Sequence, residues 1–269
     1  MVQRLIVPVD GSDASWRAVD IAVTLAQRCD ASVDVIEVVF DEHDRVGVGC
    51  RLAERLEQHD SAGMLVSTHV HVATESVAQA IGDEVERHPE ATVVLASHGR
   101  GRSAALLGSV TEELLERIFG PVLVVGPRVE PATFGGPVIA TVDGSDAAES
   151  VLPLAAAWGI EFGGEPWIVE VVDPNTVASM DVGESAYPAR LARKLAKSSG
   201  HPVQFEVLHG AHVHDEVADF ASAIHASLIV ASTRGRTGVS RFVIGSTAAA
   251  IVRHAPCPVL LVRPPHLHH

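Results

Sequence analysis

The chain has 269 residues, room for two ordinary domains, and its 47% hydrophobic and 20% charged content is that of a globular chain with a buried core. A formal net charge of −14 disfavours a broad surface for a phosphate backbone, and 4% aromatic residues are too few for a base-stacking platform, so nucleic acid is not an expected partner. No apolar stretch reaches membrane-spanning length, and Met1 to Asp10 lacks a signal-peptide pattern. Cys29, Cys50 and Cys257 form no C-x-x-C pair, so the expectation is a soluble, cytoplasmic protein with free thiols and no membrane contact.

In chain order, Arg4 to Val9 is apolar and β-branched and predicts a buried strand. Asp10-Gly11-Ser12-Asp13 turns the chain, with Ser12 or Asp13 as the cap of a helix over Ala14 to Arg28. A second strand spans Ser32 to Val39. The mostly polar stretch Asp41 to Gln58 contains Gly47 and Gly49, which predicts a loop followed by a helix from about Cys50. Leu65 to Val72 is a third strand with His69 and His71 on one face. A helix over Ser76 to Arg87 stops before Pro89. Thr92 to Ala96 is a fourth strand, Ser109 to Phe119 a helix closed by Gly120-Pro121, and Val122 to Val125 a fifth strand.

Residues 126–137 are rich in proline and glycine and mark a boundary, after which the plan repeats. Val138 to Val142 is a strand, and Asp143-Gly144-Ser145-Asp146 copies the first turn residue for residue. Strands over Trp167 to Val172, Val203 to Leu208, Ser227 to Ala231 and Val259 to Val262 follow, with helices over Glu184 to Ser199, Asp215 to His225 and Thr247 to His254. Short apolar strands alternating with helices imply parallel sheets covered on both faces. The expected fold is α/β: two tandem five-stranded, Rossmann-like domains at residues 1–127 and 138–265, joined by a linker at 128–137 and followed by a tail at 266–269.

Each half carries a glycine-bearing loop between its fourth strand and last helix. In the first, Ala96-Ser97-His98-Gly99 is followed after eight residues by Gly108-Ser109; in the second, Ser232-Thr233-Arg234-Gly235 is followed after nine by Gly245-Ser246. Gly99 and Gly235 can take positive φ and present N–H groups, and the Gly-Ser pairs open helices whose unpaired N–H groups and dipole favour an anion. Plain turn and cap chemistry explains one such loop; two, each matched with an Asp-Gly-Ser turn after a first strand, point to a ligand crevice. The loops are not P-loops. There is no G-x-x-x-x-G-K-[ST], and Lys194 and Lys197, the chain's two lysines, lie in a helix away from both. Arg100, Arg102, Arg234 and Arg236 are placed where they could screen phosphate charge.

These residues, twice in the same order, resemble tandem universal stress proteins over nearly the whole chain. The resemblance rests on Pro8-Val9-Asp10-Gly11-Ser12, Ser97 to Gly101 with Gly108-Ser109-Val110, and Pro121 to Val125. In the second copy it rests on Val142 to Ser145, Thr233 to Gly238 with Gly245-Ser246, and Pro256 to Val262. That family has ATP-binding and non-binding branches, the former marked by G-x-x-G, nine residues, then G-[ST]. The second copy departs only at Ser232; the first departs at Ala96 and in its shorter spacing. The resemblance implies ATP, alone or with Mg2+, as the ligand. It places Asp10 and Asp143 against the adenine, with Val38 and Val171 lining the same pocket. Gly99, Gly108, Ser109 and Val110, and in the second copy Gly235, Gly245, Ser246 and Thr247, fall at the ribose and phosphates. Pro8, Val9, Ala96, Val142, Ser232 and Arg236 complete the candidate set, with no catalytic residue among them. It also implies that Val122 to Val125 and Val259 to Val262 pair edge to edge as an internal pseudo-dimer, with a homodimer of chains as a further option.

The function implied is that of a non-catalytic, ATP-binding stress-response regulator. An interaction or dimerisation module of the same fold without nucleotide, and a slow ATP-using enzyme, are the alternatives. The fifteen histidines include His69-x-His71 and His212-x-His214, each with a spacing that could place two imidazoles on one side of a strand, but a structural zinc site wants four ligands, so no metal site is expected. Ser97-His98 is not expected to act as nucleophile and base, because adjacency does not supply that geometry.

Overall fold

A computed structural model describes residues 2–57, 65–99, 107–130, 134–174, 185–234 and 244–264. The chain forms two compact units, Met1–Pro127 and Arg128–His269.

In the first unit the strands are β1 (Arg4–Val9), β2 (Ser32–Val39), β3 (Val66–Val72), β4 (Ala91–Ala96) and β5 (Val122–Val125). They pair in parallel in the order β3-β2-β1-β4-β5. The helices are α1 (Asp13–Cys29), α2 (Asp44–Leu56), α3 (Val77–Arg87) and α4 (Ser109–Arg117). β4 and β5 are buried almost throughout, as expected of strands covered on both faces. α1 buries Trp16, Val19, Ala22, Val23 and Ala26 at helical spacing and offers polar side chains to solvent.

The second unit repeats this plan with β6 (Val138–Val142), β7 (Pro166–Val172), β8 (Gln204–His209), β9 (Leu228–Ser232) and β10 (Val259–Val262). Here the parallel order is β10-β9-β6-β7-β8. Its helices are α5 (Asp146–Glu149), α6 (Leu152–Phe162), α7 (Ala186–Ser199), α8 (Val213–Ala223) and α9 (Ser246–His254). Phe134, inside the stretch read from sequence as a linker, is only 1% exposed and meets Phe162 with ring centroids 6.0 Å apart. Phe162 in turn meets Trp158 edge to face.

Two sequence expectations change here. Gly47 and Gly49 lie inside α2 rather than in a loop before it. Val48 and Leu52 are buried, and that burial outweighs the modest helix propensity of the glycines. His212 and His214 are not on a strand: His212 caps α8 and His214 lies in its first turn.

In both sheets the strand order reverses beside the first strand. β1 has β2 on one side and β4 on the other, and β6 stands likewise between β7 and β9. The gap beyond the carboxyl ends of β1 and β4, or of β6 and β9, is where such sheets hold ligands.

Candidate functional site

Each crevice is built first by an Asp-Gly-Ser turn. The backbone N–H and hydroxyl of Ser12 both donate to Asp10 Oδ1, at 3.0 and 2.6 Å. Ser145 does the same to Asp143 Oδ1 at 3.0 and 2.6 Å. The intervening glycines have positive φ, 78° at Gly11 and 84° at Gly144, a region that strains other residues. The helix cap is the serine: Ser12 Oγ accepts from Ser15 N–H and Ser145 Oγ from Ala148 N–H, each at 3.2 Å. Capping therefore does not consume the aspartates, which hold their carboxylates at the strand ends. Arg55 fastens the first turn by donating to Gly11 O at 3.0 Å while its guanidinium lies 4.8 Å from the centre of the Trp16 ring.

The opposite wall is the loop after the fourth strand. Ser97 N–H donates to Val125 O and Gly108 N–H to Ser97 O, at 2.9 and 2.8 Å. Thr233 N–H to Val262 O and Gly245 N–H to Thr233 O repeat these bonds at 2.9 and 2.8 Å. Gly108 and Gly245 are the extended N-caps of α4 and α9, and neither supplies a side-chain hydrogen bond to its helix. The first-turn N–H groups thus carry the positive end of each helix dipole without a capping oxygen.

These walls enclose two cavities. The first, about 170 Å3, is lined by Pro8, Val9, Asp10, Ala96, Gly99, Gly108, Ser109 and Val110 of the expected set, and also by Ser15, Leu95, His98 and Thr111. The second, about 220 Å3, is lined by Val142, Asp143, Val171, Ser232, Gly245, Ser246 and Thr247. Thr141, Ala148, Val169, Val213, Ala231, Thr233, Arg234, Ala248 and Ile251 complete it. Val38 does not reach the first cavity, which is confined to the gap between β1 and β4 and stops short of β2. Gly235 and Arg236 lie outside the described residues.

Sequence reasoning missed Val169, although it precedes Val171 by two along β7 and so faces the same way. It also missed Val213 and Ile251, which only the packing of α8 and α9 brings to the crevice. Positive φ occurs at Gly11 and Gly144 of the Asp-Gly-Ser turns and not at Gly99, where a Cβ would instead collide with Asp10 Oδ2. In the second loop the Ser232 hydroxyl accepts from Arg234 N–H at 3.2 Å.

His98 lines the first cavity, where burial and the nearby Arg17 push its imidazole below the usual histidine range while Asp10 opposes them. Ser97 Oγ is 3.0 Å from His98 Nδ1, so the pair is hydrogen-bonded despite the sequence expectation against such geometry. Ser97 is nevertheless only 2% exposed, which denies its hydroxyl an attack trajectory on a substrate.

A universal stress protein family model matches residues 1–126 and 136–263. The chain belongs to the universal stress protein family. A universal stress protein of Methanocaldococcus jannaschii is 29% identical over 140 residues, which cover 48% of this chain and 82% of that relative. The solved structure of an Archaeoglobus fulgidus universal stress protein aligns over 97% of this chain and 98% of its own, with a TM-score of 0.67 at 21% identity. A Pseudomonas aeruginosa protein of unknown function aligns over 98% and 93%, with a TM-score of 0.70 at 18% identity. Among the described residues of this universal stress protein, no helix is long and apolar enough to cross a membrane.

Proposed function

We propose that this universal stress protein binds one adenine nucleotide, ATP with or without Mg2+, in the crevice of its second unit and acts without catalysis. The observation that carries the proposal is the pairing, across one gap, of the Asp143 carboxylate with the uncapped N-terminus of α9. The carboxylate suits an amino group on a base, and the helix N-terminus suits phosphate. Val169, Val171, Val213 and Ile251 give the same cavity an apolar side on which a flat base can lie.

The first crevice has the same turn and the same uncapped helix but less room. The Asp10 carboxylate lies against Gly99, and the apolar wall from the second strand is missing. These differences favour a non-binding, structural role for the first unit. Lys194 and Lys197 both lie on α7, so neither crevice has a lysine on its wall to steady a transferred phosphoryl group. Cytoplasmic residence belongs to the same reading and rests on a sequence whose three cysteines are odd in number, far apart and without a C-x-x-C pair. The edge-to-edge pairing of Val122–Val125 with Val259–Val262, and a further homodimer, are proposals that rest on the family resemblance alone.

Isothermal titration of the purified chain with ATP, with and without Mg2+, tests the proposal. Saturable binding of one equivalent is expected. No heat of binding at high micromolar nucleotide would leave only the interaction-module alternative standing, and steady turnover would revive the enzyme reading.

A further inference from the structure

The second unit gathers, outside its crevice, side chains with the chemistry of metal ligands. His214 and Asp215 are the second and third residues of α8, and His254 is the last residue of α9. His254 Nδ1 lies 3.0 Å from Asp215 Oδ1, and His214 Nε2 lies 3.7 Å from Asp215 Oδ2. The two imidazoles meet edge to face with centroids 4.3 Å apart. One donor atom from each of the three residues falls within 4.8 Å of the others. His212, at the cap of α8, has its ring centroid 5.8 Å from that of His214.

Ligand atoms about 2.0–2.1 Å from a tetrahedral zinc stand about 3.3 Å apart. The two Asp215 oxygens stand 3.0 and 3.7 Å from the two imidazole nitrogens, and one donor atom from each residue fits within 4.8 Å of the others, a gap that side-chain rotation closes on an ion. Imidazole nitrogens with one carboxylate suit zinc, nickel, cobalt and copper(II), whereas calcium and magnesium prefer all-oxygen shells.

The first unit supplies an internal comparison. Its corresponding helices, α3 and α4, carry Ser76 at the cap, Ala78 and Gln79 at the second and third positions, and Arg117 at the end. The donor set is therefore not part of the common fold. A simple tie between α8 and α9 needs only the Asp215–His254 hydrogen bond, yet two more imidazoles converge on the same place.

We propose that His214, Asp215 and His254, with His212 as a fourth donor, bind a single divalent transition-metal ion of the zinc class. The ion braces α9 against α8. Because α9 begins at the Gly245-Ser246 anion site, the metal secures the helix that faces the second crevice.

The test uses the full chain with His266→Ser, His268→Ser and His269→Ser, because the terminal imidazoles would bind metal by themselves. After EDTA treatment, equilibrium dialysis against Zn2+ should show one equivalent bound. Co2+ in its place should give the visible absorption of a four-coordinate site. Asp215→Asn, at a half-exposed position, and His254→Gln should each weaken Zn2+ binding at least about tenfold, with circular dichroism unchanged. No retained zinc in the tail-substituted chain would overturn the proposal. So would retention unaffected by Asp215→Asn and His254→Gln, which would point instead to a pair such as His69 and His71.

Discussion

Replacing Asp143 separates its place in the turn from the base-binding role proposed for it. Its Oδ1 accepts from Ser145 N–H and Ser145 Oγ–H, holding the turn in which Gly144 has φ 84°. Asp143→Asn keeps an oxygen at that position and an Asx-turn geometry that asparagine adopts readily, so stability should move by less than about 0.5 kcal/mol. Asp143→Ala removes the acceptor and strands the Ser145 N–H. Two hydrogen bonds to a charged group are lost, partly recovered by water at this half-buried site, for an expected cost of about 1–3 kcal/mol. A unit of roughly this length loses about 3 °C in Tm per kcal/mol, so the alanine variant should melt roughly 3–10 °C lower. Nucleotide affinity should follow a different order. Both variants lack the carboxylate charge, and both should bind ATP at least about tenfold more weakly. Denaturant unfolding followed by calorimetric titration on the same samples reads both quantities. Equal stability loss in Asn and Ala would refute the turn argument, and unchanged affinity in Asn would refute the base-binding role.

Three further outcomes follow from the same geometry. Gly99→Ala should destabilise the first unit by about 1–3 kcal/mol, because its Cβ displaces the Asp10 carboxylate rather than straining the backbone. A double-mutant cycle with Asp10→Ala should then be strongly non-additive, and simple additivity would sink this assignment. With a thiol reagent under native conditions, exposed Cys50 should react first, while Cys257, whose thiol burial pushes up to about 12, should stay unmodified until unfolding. The last outcome concerns pH. Burial holds the imidazoles of His71 and His98 below the ordinary value of 6.5 in the folded chain, against an opposing Glu84 at His71 and Asp10 at His98. As pH falls below 6.5 the unfolded chain therefore takes up protons first, so this contribution to stability is present above 6.5 and lost on acidification. Denaturation midpoints at stepped pH should show that decline, and His98→Gln should flatten part of it.

Much of this fold can be read from the chain because its central strands are buried on both faces and appear as short apolar runs, as at Val122–Val125 and Val259–Val262. The repeated Asp-Gly-Ser turn is legible for a local reason: the Asx-turn and the serine cap involve neighbours in sequence. What sequence did not reveal depends on packing. α6 is apolar on nearly every side, so it offers no amphipathic period to read. The glycines of α2 argue locally against the helix that burial of Val48 and Leu52 maintains. His254 meets His214 and Asp215 only because α9 packs on α8, and no spacing in the chain announces that meeting. The need for glycine at position 99 likewise arises from a side chain on a different strand end, that of Asp10.

The central claim, that phosphate sits on the uncapped N-terminus of α9, is tested most directly by titrating Ser246→Glu with ATP. Ser246 is exposed at the first position of α9. A carboxylate there complements the helix dipole and should leave stability unchanged or raise it by about 0.3–1 kcal/mol. It also occupies and repels the anion position. The account predicts a folded protein whose ATP affinity is at least about tenfold weaker than that of the unaltered chain. Undiminished affinity in a folded Ser246→Glu protein would contradict it.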